Sequence, residues 1–161
     1  SHLAQALISL LGRVRHRGSP PSYNELIYRR EYSERTRDAI DRVRRVFAGA
    51  KAVCESRGAE LVVVMIPTRE QVSPDSFFRD AGIPEGLDFE RPQREFAEFF
   101  EERGIAYIDL LPTLRKLAPG EDVYYRHDQH WTPRGNEIVA ALLARGLTEM
   151  GTVGADGRSA R

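Results

Sequence analysis

Leu61-Val62-Val63-Val64-Met65-Ile66 is the stretch whose reading decides the fold. Six consecutive aliphatic residues without polar alternation describe a strand apolar on both faces, which belongs inside a parallel sheet covered by helices. Pro67 ends it. Directly before it, Ile40, Val43, Phe47, Ala50 and Cys54 step by threes and fours from Glu34, so a long amphipathic helix is expected, stopping near Arg57-Gly58. Cys54 lies on that apolar stripe and reads as a small buried thiol, since nothing nearby would lower its pKa.

Beyond Pro67, a long connection punctuated by Pro74, Pro84 and Pro92 carries Phe77, Phe78 and Phe89. Long connections at strand ends are often functional. A second helix is expected from Pro92, with Phe96, Phe99 and Phe100 on one side and Gly104 as its stop. Ile105 to Ile108 then reads as a second short strand, with Asp109 capping a helix built on Leu111, Leu114 and Leu117. The last helix is expected from about Pro133 to Gly146. Helix, strand, helix, strand, helix is the grammar of an α/β sandwich with right-handed crossovers. Two strands are fewer than such a sheet usually has, so this reads as part of a fold, a partial flavodoxin-like α/β/α sandwich with parallel strands.

Three segments are expected: a leading helix and linker over 1–33, the α/β region over 34–148, and a flexible tail over 149–161. Leu3, Leu7, Leu10 and Leu11 mark the leading helix, and the basic, proline-containing stretch 13–22 the linker. The 161 residues suffice for one core. With 24 basic and 24 acidic side chains there is no clustered basic excess, which argues against nucleic acid as a partner. The aliphatic run falls far short of the ~20 residues that span a bilayer, so no transmembrane segment is expected. A single cysteine makes no internal disulfide, and both cytosolic and exported locations stay open.

The densest polar cluster is Tyr124-Tyr125-Arg126-His127-Asp128-Gln129-His130-Trp131-Thr132-Pro133. Residues two apart in an extended segment project to the same side, so a carboxylate at Asp128 can orient the His130 imidazole and leave its Nε2 as a base. That is the supporting pair of a nucleophilic triad. The other readings are a surface histidine merely held by its neighbour, and a metal site on His127, Asp128 and His130. The metal reading ranks lower, because no distant ligand cluster joins them and His127 would point away from His130. No metal and no cofactor are assigned. Thr132 suits a helix cap and Pro133 its first turn, while Gly135 stands where a capping-box acid would be. Trp131 is either a substrate-stacking ring or core packing. Thr68 and Ser73, after the first strand, read as polar lining or turn residues, and Arg69 and Glu70 as substrate contacts or solvated charges.

Taken with Leu61 to Gln71 and Ile108-Asp109-Leu110-Leu111-Pro112, the run Asp128 to Gly135 resembles the C-terminal half of SGNH/GDSL-type hydrolases. The similarity is greatest to the alginate O-acetyltransferase-like branch and covers about residues 37 to 147. The resemblance implies Ser-His-Asp acyl transfer, with an ester hydrolysed or its acetyl group moved to a carbohydrate hydroxyl. It makes His130 the general base and Asp128 its orienter, with Thr68, Arg69, His127 and Trp131 as candidate substrate contacts. It also implies a periplasmic or extracellular location. No Gly-Asp-Ser occurs in the sequence, so the family's nucleophile is expected outside these residues, and pairing with the remaining sequence or with another copy is expected too. The rival expectation is a non-catalytic carbohydrate-binding or assembly module.

Overall fold

The computed structural model describes residues 23–78, 83–125 and 130–151. The expected helix over 3–12, the linker over 13–22 and the tail beyond Gly151 lie outside the described residues. The chain runs α1 (Tyr23–Tyr28), α2 (Glu34–Ser56), β1 (Val62–Met65), α3 (Arg69–Val72), α4 (Pro74–Phe77), α5 (Arg91–Arg103), β2 (Ala106–Asp109), α6 (Leu111–Leu117) and α7 (Pro133–Glu149).

Helix ends follow local chemistry. The Ser33 hydroxyl accepts the Thr36 N–H at 3.2 Å to start α2. The Asp88 carboxylate accepts the Glu90 and Arg91 N–H groups at 3.0 and 3.1 Å ahead of α5, and Gly104, at φ 60°, closes that helix in the left-handed region. Asp109 accepts the Leu111 N–H at 2.9 Å and so caps α6, as expected.

β1 and β2 pair in parallel, with Val62 opposite Ala106 and Met65 opposite Asp109. The expected parallel pairing is observed, with each strand beginning one residue later than the sequence suggested. Alternate side chains divide the core into two layers. Val63, Met65 and Tyr107 pack with Phe47, Phe96, Phe99 and Phe100 of α2 and α5, whereas Val64 and Ile108 join Leu110, just before α6, and Leu114, Ile138, Val139 and Leu142 of α6 and α7. Helices therefore cover both faces of the strand pair, giving α/β/α layering.

Three expectations need correction. The last helix does not stop at Gly146 but continues to Glu149, because that glycine is a contact point: a Cβ there would stand 2.8 Å from Ile108 Cδ1. Val43, on the expected inward stripe of α2, is 42% exposed, and Cys54 is only half-buried. Both corrections have one cause, since α2 covers the strand pair along part of its length and nothing described covers the rest of its stripe. The long connection after β1 folds α3 and α4 and bonds to the segment around the end of α1, Asp88 N–H to Tyr28 O at 2.6 Å and Arg30 N–H to Gly86 O at 2.9 Å. Tyr28, 1% exposed, is thereby sealed beneath the carboxyl end of β1.

Candidate active site

The site begins where β1 stops. Pro67 is fully buried, and its carbonyl accepts a hydrogen bond from the Tyr124 hydroxyl. Thr68 follows, its hydroxyl 2.7 Å from the Tyr28 hydroxyl, and its N–H donates to Gln71 Oε1 at 3.0 Å. Gln71 in turn donates to the Phe89 carbonyl at 2.7 Å and to the Gln93 side chain, while Arg115 donates to the Gln71 carbonyl at 2.9 Å. The short α3 is thus bolted to α5, to α6 and to the long connection.

The polar loop is held by a second set of bonds. Tyr124 and Trp131 form an antiparallel bridge, the Tyr125 N–H donates to the His130 carbonyl at 3.0 Å, and the Thr132 N–H donates to the Val123 carbonyl at 3.0 Å. The Thr132 hydroxyl accepts the Gly135 N–H at 2.9 Å, which caps α7 as expected. Gly135 is glycine for a steric reason: a Cβ there would stand 2.1 Å from the Val123 carbonyl oxygen. The missing capping-box acid reflects this close approach, which leaves no room for any side chain. Through Tyr124 the loop reaches the carbonyl that follows β1, so His130, exposed, stands on a loop tied to the carboxyl end of the sheet. Sites of open α/β sheets lie at that end.

Electrostatics follow burial. Desolvation pushes the Tyr28 phenol far up, against the Thr68 hydrogen bond that pulls it back, and burial likewise raises Tyr124. Both phenols stay protonated at neutral pH and keep their capacity to donate. Burial also raises the Asp109 carboxyl, opposed by the Leu111 N–H and by Arg115.

Of the expected site residues, Thr68 and Arg69 follow β1 and His130 and Trp131 lie on the loop that Tyr124 ties to Pro67, whereas His127 and Asp128 lie outside the described residues. Thr68 has the turn role read from the sequence. Arg69 lies over the Phe77 ring at 5.5 Å, and Trp131 packs half-buried against the α6–α7 core. Trp131 Nε1 is buried without an acceptor at hydrogen-bond geometry; it is nonetheless close enough to Tyr124 to favour the ionised phenol slightly, a weaker influence than burial. Glu70 is not a solvated charge: it is 4% exposed, and its carboxylate acts on both Tyr28 and Tyr124. The sequence offered no signal for Tyr28, which reaches the site from before Glu34. Among the described residues no group of His, Cys, Asp and Glu side chains is arranged to hold a metal ion, and no helix is long and apolar enough to cross a membrane.

Parallel strands between helical layers, with a Trp-Thr-Pro loop tied to their carboxyl end, accord with the SGNH hydrolase-like domain whose family model this chain matches. The chain belongs to the family described as ALGX, SGNH hydrolase-like domain, acetyltransferase AlgX, whose model matches residues 26–160. Among its relatives, the Azotobacter vinelandii "Probable alginate O-acetylase AlgJ" is 29% identical over 105 residues, 65% of this chain and 26% of that protein. The "Alginate biosynthesis protein AlgX" of the same organism is 35% identical over 103 residues, 60% of this chain and 20% of that protein. A solved structure, "O-Acetyltransferase Domain of Pseudomonas putida AlgJ", superposes with a TM-score of 0.64 at 16% identity, covering 78% of this chain and 44% of that one, and supports the fold. The chain therefore spans about a quarter or less of the curated relatives and under half of the solved domain.

Proposed function

We propose that this chain supplies the acid/base half of an O-acetyltransferase acting on ester-linked acetyl groups of a carbohydrate, with the serine nucleophile contributed by polypeptide outside residues 1–161. Family membership and the relatives named as alginate O-acetylases support the acetyl-transfer chemistry. The single observation that carries the base assignment is the anchoring of the His130 loop to the carbonyl that follows β1.

In this reading His130 Nε2 takes the proton of the attacking serine as its oxygen bonds to the acyl carbonyl carbon. The imidazolium then returns that proton to the departing alkoxide. In the second half, His130 removes the proton of the carbohydrate hydroxyl as its oxygen bonds to the acyl carbon, and the imidazolium gives that proton to the departing serine oxygen, which leaves the carbohydrate acetylated and the serine free. Asp128 accepts from the imidazole Nδ1–H and fixes the tautomer. Thr68, Arg69, His127 and Trp131 contact the acceptor. Alginate is polyanionic, and Arg69 is the cation of this set. The chain acts in the periplasm or outside the cell, and it pairs with its remaining sequence or with another copy to complete the site.

The test is acetyl transfer from a small acetyl ester to an alginate oligosaccharide by the complete polypeptide. Replacing His130 by Ala should lower kcat by roughly 10³-fold or more while leaving thermal unfolding unchanged. Near-normal turnover would remove His130 from the mechanism and favour a module that only recognises carbohydrate.

A further inference from the structure

The surface is hollowed where Tyr124 leaves the His130 loop. A recess of about 130 Å³ has Tyr124 and Arg69 on its walls, and a wider open groove of about 900 Å³, bounded by α4, the start of α5 and the end of α6, adjoins it. Val72, Ser73, Ser76 and Ala118 line both, so the two form one continuous depression. Tyr124 ties the loop to Pro67 and bridges to Trp131, which places one end of the depression at the candidate site. Ordinary ligand sites occupy about 300–1,000 Å³, a range this space fills.

Its lining carries both signs of charge without a basic excess. Arg30, Arg94 and Arg115 line the wide part together with Asp75, Asp88 and Glu90, and Arg69 lines the recess together with Glu121 and Asp122. Two of the arginines already hold carboxylates. Arg94 donates to Asp88 at 2.8 Å, which keeps that carboxyl below its usual range, and Arg115 is bonded to Glu90 and to the Gln71 carbonyl. Asp75 and Asp122 are exposed and have no paired cation among the described residues. Segments 79–82 and 126–129 each contain one arginine and one aspartate, so their sequence adds no basic excess either.

What such a lining binds follows from its donors and acceptors. A sugar hydroxyl both donates and accepts, so it bonds to a guanidinium and to a carboxylate alike, and paired groups keep spare sites for it. A uronate carboxylate only accepts. It would meet arginines that already hold carboxylates, and it would be repelled by Asp75 and Asp122. We propose that the depression holds uncharged sugar units of the acceptor, so that the completed enzyme acetylates a neutral glycan in preference to a polyuronate. The inference deepens the proposed function and rests on it for acetyl transfer to a carbohydrate hydroxyl. The step itself is unchanged: the sugar oxygen takes the acetyl group, and its proton passes through His130 to the departing serine oxygen. Arg69 does not tip the recess toward a polyanion, because Glu121 and Asp122 line it too.

The experiment offers the complete polypeptide a small acetyl ester and two matched acceptors, a neutral mannan hexasaccharide and the polymannuronate hexasaccharide of the same linkage. The two differ only in carrying a hydroxymethyl or a carboxylate group on each ring. kcat/KM should be at least about ten-fold higher on the neutral acceptor and insensitive to salt. Equal use of both, or a preference for the uronate that fades as salt rises, would overturn the proposal. Replacing Asp75 and Asp122 together by Asn should narrow the preference by lowering KM for the uronate about three-fold or more, with kcat moved less. A preference that this double variant leaves unmoved would overturn it too. Calorimetric binding of both hexasaccharides to the His130→Ala polypeptide is read independently of transfer. Selective binding of the neutral one by a protein that transfers nothing defeats the functional reading alone, whereas His130-dependent transfer with a uronate preference defeats the groove alone. Binding of neither overturns the groove.

Discussion

The described ends of the loop between Val123 and Gly135 and the outer edge of β1 differ in how their backbone groups are satisfied. In the loop, Val123, Tyr125, His130, Thr132 and Gly135 exchange hydrogen bonds with one another, and Tyr124 fastens the whole to Pro67. Along the outer edge of β1 no described strand pairs with Val62 to Met65, and an apolar groove that Val63, Val64 and Ile66 help to line lies beside it. A segment that closes its own bonds is fixed by its local sequence. One that does not leaves backbone donors and acceptors with no described strand to receive them.

Substitutions break this comparison in a graded way. Gly135→Ala should have the largest effect on stability, since its Cβ would be driven into the Val123 carbonyl. A loss of about 1–3 kcal/mol in a denaturant titration is expected, with His130-dependent turnover falling further than stability alone explains. Tyr124→Phe removes the bond to the Pro67 carbonyl and leaves a buried acceptor unmet, which should cost about 1 kcal/mol and loosen the loop. If kcat for acetyl transfer is untouched while stability drops, the loop is held by something other than this bond.

A smaller effect should appear in the pH dependence. Folded Asp109 retains its proton at pH values where the unfolded carboxyl, near about 3.9, has lost it. Its stabilising contribution is thus fully present below that value and is lost as pH rises through the raised folded pKa. Asp109→Asn keeps an oxygen for the Leu111 N–H and should flatten that fall; an unchanged stability–pH curve would show that another group sets it. Smallest of all should be Ile66→Lys in residues 1–161, within about 0.5 kcal/mol as for other exposed positions.

The division between what the sequence revealed and what it concealed runs along the same line. Val62 to Met65 read as a strand because an apolar run after a glycine stop has few other uses, and α5 was legible from Pro92, its phenylalanines and Gly104. The Thr132 cap and the helix it starts were legible for the same local reason. Long-range contacts were not. Nothing in the neighbourhood of Tyr28 announces that its hydroxyl meets Thr68 forty residues on, and Glu70 looks like any surface charge until packing buries it. Gly146 read as a helix stop because glycine is common there; its role as a contact point for Ile108 depends on how α7 crosses β2.

The central claim is that residues 1–161 hold the base of an acyl-transfer site and lack its nucleophile, and the most direct measurement is turnover of a small acetyl ester by this chain alone and by the longer polypeptide. The account predicts no turnover above background for residues 1–161, and turnover by the longer polypeptide that His130→Ala abolishes. Robust hydrolysis by residues 1–161 alone, lost on changing Thr68 or Ser73 to Ala, would contradict it and assign the nucleophile to the turn after β1.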